Sequence, residues 1–129
     1  MARVAIIEDD RALADQMVWA LQHADHEALV AYDGAQALAL LGLEPPDAAA
    51  PLPDVIVLDV MMPSVNGVEV CRRLAAEARA AKVPVIIASG RGEARGAFRA
   101  LANVRAFLDK PFDGKKLLAA VDGALRAPR

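Results

Sequence analysis

Four consecutive apolar residues, Val55-Ile56-Val57-Leu58, run straight into Asp59. A strand without polar alternation has both faces covered, as in a parallel sheet held between helices. Val4–Ile7 and Val83–Ala88 have the same character, Glu27–Tyr32 is a further strand candidate, and Ala106–Leu108 is a shorter one. Between these runs the apolar period changes. In Arg11–His23, Leu13, Met17 and Leu21 share one helical face, with Val18 beside them. Trp19 lies in the same helix and is expected to help cover the sheet. Asp33 is a plausible N-cap for a helix over Ala35–Leu41, closed by Gly42. Val68–Ala80, Glu93–Ala102 and Asp113–Leu125 complete the set, the last with Leu117, Leu118, Val121 and Leu125 facing inward. Strand and helix alternate five times. That predicts an α/β fold in which right-handed crossovers place helices on both faces of a parallel sheet.

The 129 residues suffice for one domain with a core that needs no staple. The expectation is a single domain over 1–129, with its core at about 3–125 and a proline-rich connection at 44–53. That connection, Glu44–Pro53, holds four prolines, so neither helix nor strand continues through it. The net charge is −2, and Lys and Arg are scattered in loose groups at Arg91–Arg105 and Lys115–Arg129. A nucleic-acid binder would show a basic stripe instead. The single cysteine, Cys71, excludes an internal disulfide and reads as a small core residue, which fits a reducing cytoplasm. No secretion signal and no apolar run of about 18 residues is visible, so no direct nucleic-acid or membrane partner is expected. His23 and His26 read as a surface turn, since a metal site there would need further ligands.

In a doubly wound sheet the ligand site lies beyond the carboxyl ends of the strands. The first strand ends in Glu8-Asp9-Asp10, the third in Asp59 and the fourth in Ser89, while Lys110-Pro111 follows the fifth. Carboxylates brought together repel, and a divalent cation relieves the repulsion. Oxygen ligands without a His or Cys cluster select Mg²⁺, with Mn²⁺ possible by similarity. A carboxylate is also a nucleophile toward phosphorus. Lys110 would supply a compact positive charge and Ser89 a hydroxyl donor to the same oxygens. Each residue alone is weak evidence, since acids at strand ends and Ser before Gly are common. The ordered set, each member at a different strand end, carries the inference.

The motifs Ile6-Ile7-Glu8-Asp9-Asp10, Val57-Leu58-Asp59-Val60-Met61-Met62-Pro63 with Asn66-Gly67, Pro84-Val85-Ile86-Ile87-Ala88-Ser89-Gly90 and Phe107-Leu108-Asp109-Lys110-Pro111-Phe112 resemble those of response-regulator receiver domains. The resemblance runs from about Arg3 to Leu125. It implies a flavodoxin-like (βα)5 domain with sheet order 2-1-3-4-5 in a cytoplasmic two-component phosphorelay. It implies that Asp59 is the phosphoacceptor, charged by a sensor histidine kinase or phosphotransfer protein. Glu8 (through water), Asp9, Asp59 and the backbone carbonyl of Met61 would hold Mg²⁺. Ser89 and Lys110 would grip the phosphoryl group, Ser89 and Phe107 would form the switch, and the Lys110–Pro111 bond would be cis. The surface of the fourth helix, fifth strand and last helix would then change its affinity for a downstream protein or a fused output domain. The role is signalling, with intrinsic self-phosphorylation and aspartyl-phosphate hydrolysis. By the same resemblance, residues at Met61 and Arg91 tune phosphoryl lifetime.

Departures from the family pattern are a longer, proline-rich 44–53 connection, Gly90 after the hydroxyl residue, a Ser89–Lys110 interval about one residue short, and Asn103-Val104-Arg105 in place of the usual Gly-Ala. Three rivals compete. A haloacid-dehalogenase-type phosphatase needs a second Asp two residues beyond the nucleophile, where this chain has Met61. A flavin binder of the same fold needs a hydroxyl- and Gly-rich loop where Glu8-Asp9-Asp10 stand. A phosphorylation-independent docking module would keep the fold without the chemistry, and failure to bind Mg²⁺ would favour it. Ala127-Pro128-Arg129 follow the last helix, which leaves open a stand-alone receiver or one cut from a longer protein.

Overall fold

The computed structural model describes residues 1–60, 67–90, 96, 98 and 101–126. Within them the chain runs β1 (Arg3–Ile7), α1 (Arg11–His23), β2 (Glu27–Ala31), α2 (Gly34–Leu40), β3 (Val55–Asp59), α3 (Gly67–Ala76), β4 (Val85–Ser89), β5 (Val104–Asp109) and α4 (Gly114–Arg126). All strand pairs are parallel and the sheet order is β2-β1-β3-β4-β5. The doubly wound topology expected from the alternation is therefore present. The helix expected over Glu93–Ala102 falls mostly outside the described residues.

Period-two alternation divides the strands between two cores. Ala5, Ile7, Ile56, Leu58, Val85 and Ile87 face Ala37, Leu41, Val70, Cys71 and Leu74, so α2 and α3 cover that face. Val4, Ile6, Val55, Val57, Ile86 and Ala88 face Met17, Leu21, Leu117 and Val121, so α1 and α4 cover the other. Trp19 does not join either core. It is 62% exposed and stacks on His23 with ring centroids 3.9 Å apart. The inward stripe of α1 is Ala14, Met17, Ala20 and Leu21, and two residues past Met17 the helix has turned about 200°.

Several boundaries differ from the sequence reading. β4 starts at Val85 because Pro84 has no N–H to give, although its carbonyl accepts from Ile56 N–H at 3.0 Å. β5 is longer than Ala106–Leu108 because Val104 pairs with Val85, and the register shift to Ile86↔Ala106 leaves Arg105 as the extra residue of a bulge. α3 ends at Ala76 rather than Ala80, and beyond it the chain turns so that Ala80 and Val83 reach the core.

The Glu44–Pro53 connection is fastened by two arginines. Arg73 donates to the Glu44 carboxylate at 2.7 Å and to the Leu43 carbonyl at 2.9 Å. Arg79 donates to the carbonyls of Ala50, Asp47 and Leu41 at 3.1, 2.9 and 3.3 Å. Gly42 makes the wrap possible, with φ at +71° and a position where a Cβ would stand 2.5 Å from Arg79 Nη2.

Candidate functional site

β1 and β3 are neighbours, and both end on the same edge of the sheet. That delivers Glu8 and Asp9 from one strand and Asp59 from the other. One carboxylate oxygen from each of the three lies within 4.8 Å of the others. Glu8 and Asp59 are 1% and 3% exposed, while Asp9 faces solvent. Asp10 belongs to the same acidic run but does different work: its side chain caps α1 by accepting from Leu13 N–H at 3.1 Å. Its own N–H donates to Glu8 Oε2 at 3.2 Å.

Lys110 enters from the far end of the chain. Its N–H donates to the Ser89 carbonyl at 2.8 Å, carrying the β4–β5 ladder one residue past β5. Its Nζ then reaches Glu8 Oε1 at 2.8 Å and Asp59 Oδ1 at 3.3 Å. The Lys110–Pro111 bond is cis, as the resemblance implied. Asp113 caps α4 by accepting from Lys116 N–H at 2.9 Å, which fixes where the turn after Lys110 ends.

Burial is the main reason the Glu8 carboxyl is pushed up to about 7; neighbouring Asp59 adds to the shift, while Lys110 and the Asp10 N–H oppose it. For Lys110, burial alone would lower the pKa, but the bond to Glu8 and the attraction of Asp59 hold it above its ordinary value. Lys110 thus stands against a cluster of three carboxylates, and the all-oxygen donor set fits a hard divalent cation such as Mg²⁺ or Mn²⁺.

Ser89 ends β4, is 1% exposed, and stands beside the Asp59↔Ala88 pair. By strand alternation it shares the sheet face of Val85 and Ile87, the face on which Phe107 packs half-buried. Met61, expected to offer its carbonyl, lies outside the described residues, as does Arg91. Cys71 is fully buried and its thiol is pushed up to about 12 by burial, as suits a core residue. His26 accepts at Nδ1 from Ala2 N–H at 3.0 Å, and His23 stacks on Trp19.

Two features were not legible beforehand. The Lys110–Glu8 bond joins residues 102 apart in the chain. Arg11, the first residue of α1, lies over the Tyr32 ring at 4.1 Å from its centroid, at the rim beside β2. Neither pairing has a local sequence signature.

Residues 4–122 match the sequence profile of the response regulator receiver domain. The chain is 35% identical over 98% of its length to the DNA-binding dual master transcriptional regulator RpaA of Synechocystis sp., covering 50% of that protein. It is 32% identical over 96% of its length to the response regulator MprA of Mycobacterium avium, covering 51% of it. The chain thus spans about half the length of the curated relatives it matches. Among solved structures, the chemotaxis response regulator CheY4 of Vibrio cholerae superposes with a TM-score of 0.82 at 27% identity, covering 97% of this chain and 99% of that one.

Proposed function

The chain belongs to the response regulator receiver family of two-component signalling, and from that premise we propose that Asp59 accepts a phosphoryl group from the phosphohistidine of a sensor histidine kinase or phosphotransfer protein. Glu8, Asp9, Asp59 and the Met61 carbonyl are the residues that would hold Mg²⁺, with Mn²⁺ as a substitute. The bound cation supplies charge neutralisation for the incoming phosphoryl oxygens.

The chain's own residues carry the rest. A carboxylate oxygen of Asp59 attacks phosphorus, the phosphorus–nitrogen bond of the donor breaks, and its electron pair leaves with the imidazole nitrogen. Lys110 Nζ, already 3.3 Å from Asp59 Oδ1, pairs with the new negative charge. The Ser89 hydroxyl donates to a phosphoryl oxygen. Its shift toward the acid opens space on the α2–α3 side of the sheet, and Phe107, on that same face, turns inward. The surface of the β4–β5 stretch, β5 and α4 then presents a different shape to an output protein or a fused output domain, a population shift set off by a local charge change. The same groups support self-phosphorylation from small acyl phosphates and hydrolysis of the aspartyl-phosphate.

The observation that supports this reading best is the convergence of Glu8, Asp59 and Lys110 from three strand ends, with both carboxylates within reach of one ammonium. The test is intact mass after incubation with acetyl phosphate and Mg²⁺. Wild type gains one phosphoryl group, and Asp59→Asn gains none. Full labelling of Asp59→Asn would remove the assignment.

A further inference from the structure

The turn leading into β5 carries Asn103, which is 3% exposed. Its Nδ2 donates to the Cys71 carbonyl of α3 at 3.1 Å, while its Oδ1 is buried without a hydrogen-bond partner among the described residues. The bond fixes the amide orientation, because the flipped one would set two oxygens against each other. The main-chain carbonyl of Asn103 accepts from Val85 N–H at 2.8 Å. One residue therefore holds together the start of β4, the entry to β5 and the middle of α3.

A second tether lies four residues back on the same face of α3. Phe98, from the β4–β5 stretch, rests over Gly67, where an added Cβ would stand 3.3 Å from Phe98 Cζ and 3.5 Å from Leu58 Cδ2. Leu58 directly precedes Asp59. Phe107 packs against the same apolar cluster that contains Phe98, Cys71 and Leu74. The β4–β5 stretch is thus fastened to α3 at two points one helical turn apart, the Phe98 contact near Leu58 of the phosphoacceptor strand and the Asn103 bond at the amino end of β4 and β5.

A buried acceptor left unpaired is unfavourable, and an arrangement that offers it a donor relieves that cost. We propose that Asn103 is a latch between α3 and the β4–β5 stretch, re-paired when Asp59 is phosphorylated, so that α3 joins the responding surface. The proposal rests on the reading of Asp59 as phosphoacceptor. Asn103 is a positioning residue in it and touches no reacting atom. On the outer side of α3, Glu69 and Arg72 face solvent, which gives the responding helix a charged exterior.

Hydrogen exchange of the whole chain, with and without Mg²⁺ and beryllium fluoride, tests the latch on wild type and Asn103→Ala. Acetyl phosphate labelling, followed by intact mass, runs in parallel. Both proteins should label. Loading should change exchange in α3 of wild type by about tenfold and in the variant by less than about twofold, a difference typical of coupling between sites. Asn103→Leu fills the same space without the bond and should behave alike, which keeps the test open if the alanine variant is unstable. An unchanged α3 in labelled wild type, or a wild-type response in the variants, overturns the latch and leaves Asp59 standing. Variants that fail to label overturn it too, by placing Asn103 in the building of the site. A wild type that takes no phosphoryl group refutes the phosphoacceptor reading and the latch with it.

Discussion

Replacing Glu8 by glutamine should change how stability depends on pH more than it changes stability itself. The Glu8 carboxyl is pushed from 4.5 up to about 7 in the folded chain, mainly by burial. Between those values the folded state binds a proton that the unfolded state has released. Stability therefore falls as pH rises through that window. Taking the folded value at about 7 and the unfolded one at about 4.5, the loss between pH 5 and pH 8 is about 2–3 kcal/mol. A glutamine side chain does not titrate, so the Glu8→Gln profile should lack this component while keeping every other. Urea unfolding in EDTA at pH 5 and pH 8 measures it, as the difference between the two proteins' pH differences. Adding Mg²⁺ at pH 8 should restore wild type more than the variant, because the cation favours the ionised cluster. Parallel profiles for the two proteins, or a wild type that gains stability toward pH 8 relative to Glu8→Gln, would refute the account of a buried, unfavourably ionised Glu8.

Other outcomes follow from single features. Arg79→Ala removes three hydrogen bonds to the carbonyls of Leu41, Asp47 and Ala50; a loss of about 1–3 kcal/mol is expected in urea melts, with faster proteolytic cleavage within residues 44–53. Cleavage at the wild-type rate would show that the arginine does not hold the connection. The Cys71 thiol, buried and pushed up to about 12, should resist thiol reagents at pH 8 until the protein unfolds; rapid modification of the native chain contradicts its burial. Trp19→Ala should leave stability within about 0.5 kcal/mol of wild type, as for other exposed positions. A larger loss would return Trp19 to the core.

The sheet was legible because its strands are apolar on both faces: Val55–Leu58 and Val4–Ile7 admit few other readings. Glu8, Asp59, Ser89 and Lys110 were legible as a set because each follows or closes such a run, and a doubly wound sheet brings those ends to one edge. What could not be read depended on partners distant in the chain. Trp19 looked like core material by composition, but its angle on α1 is set by Met17 and Leu21, which already face the sheet. The end of α3 at Ala76 is not written in its propensities; it follows from Ala80 and Val83 turning into the core. The proline content of residues 44–53 marked a break in regular structure, yet gave no hint that Arg73 and Arg79 would fasten it. Asp10 shows another limit: the sequence placed it only in the acidic run, and the geometry uses it as the cap of α1.

The bond between Lys110 and Glu8 also bears on how the molecule is made. It joins the end of the first strand to the residue just past the last, 102 positions apart, and β5 is the outermost strand on its side of the sheet. A chain emerging during synthesis can therefore lay down β1 and β3, and bring its acids together, long before the lysine exists. Until β5 docks, those carboxylates lack the Lys110 ammonium and the cluster is incomplete. Assembly of the four-group cluster thus reports that the sheet has closed to its final edge.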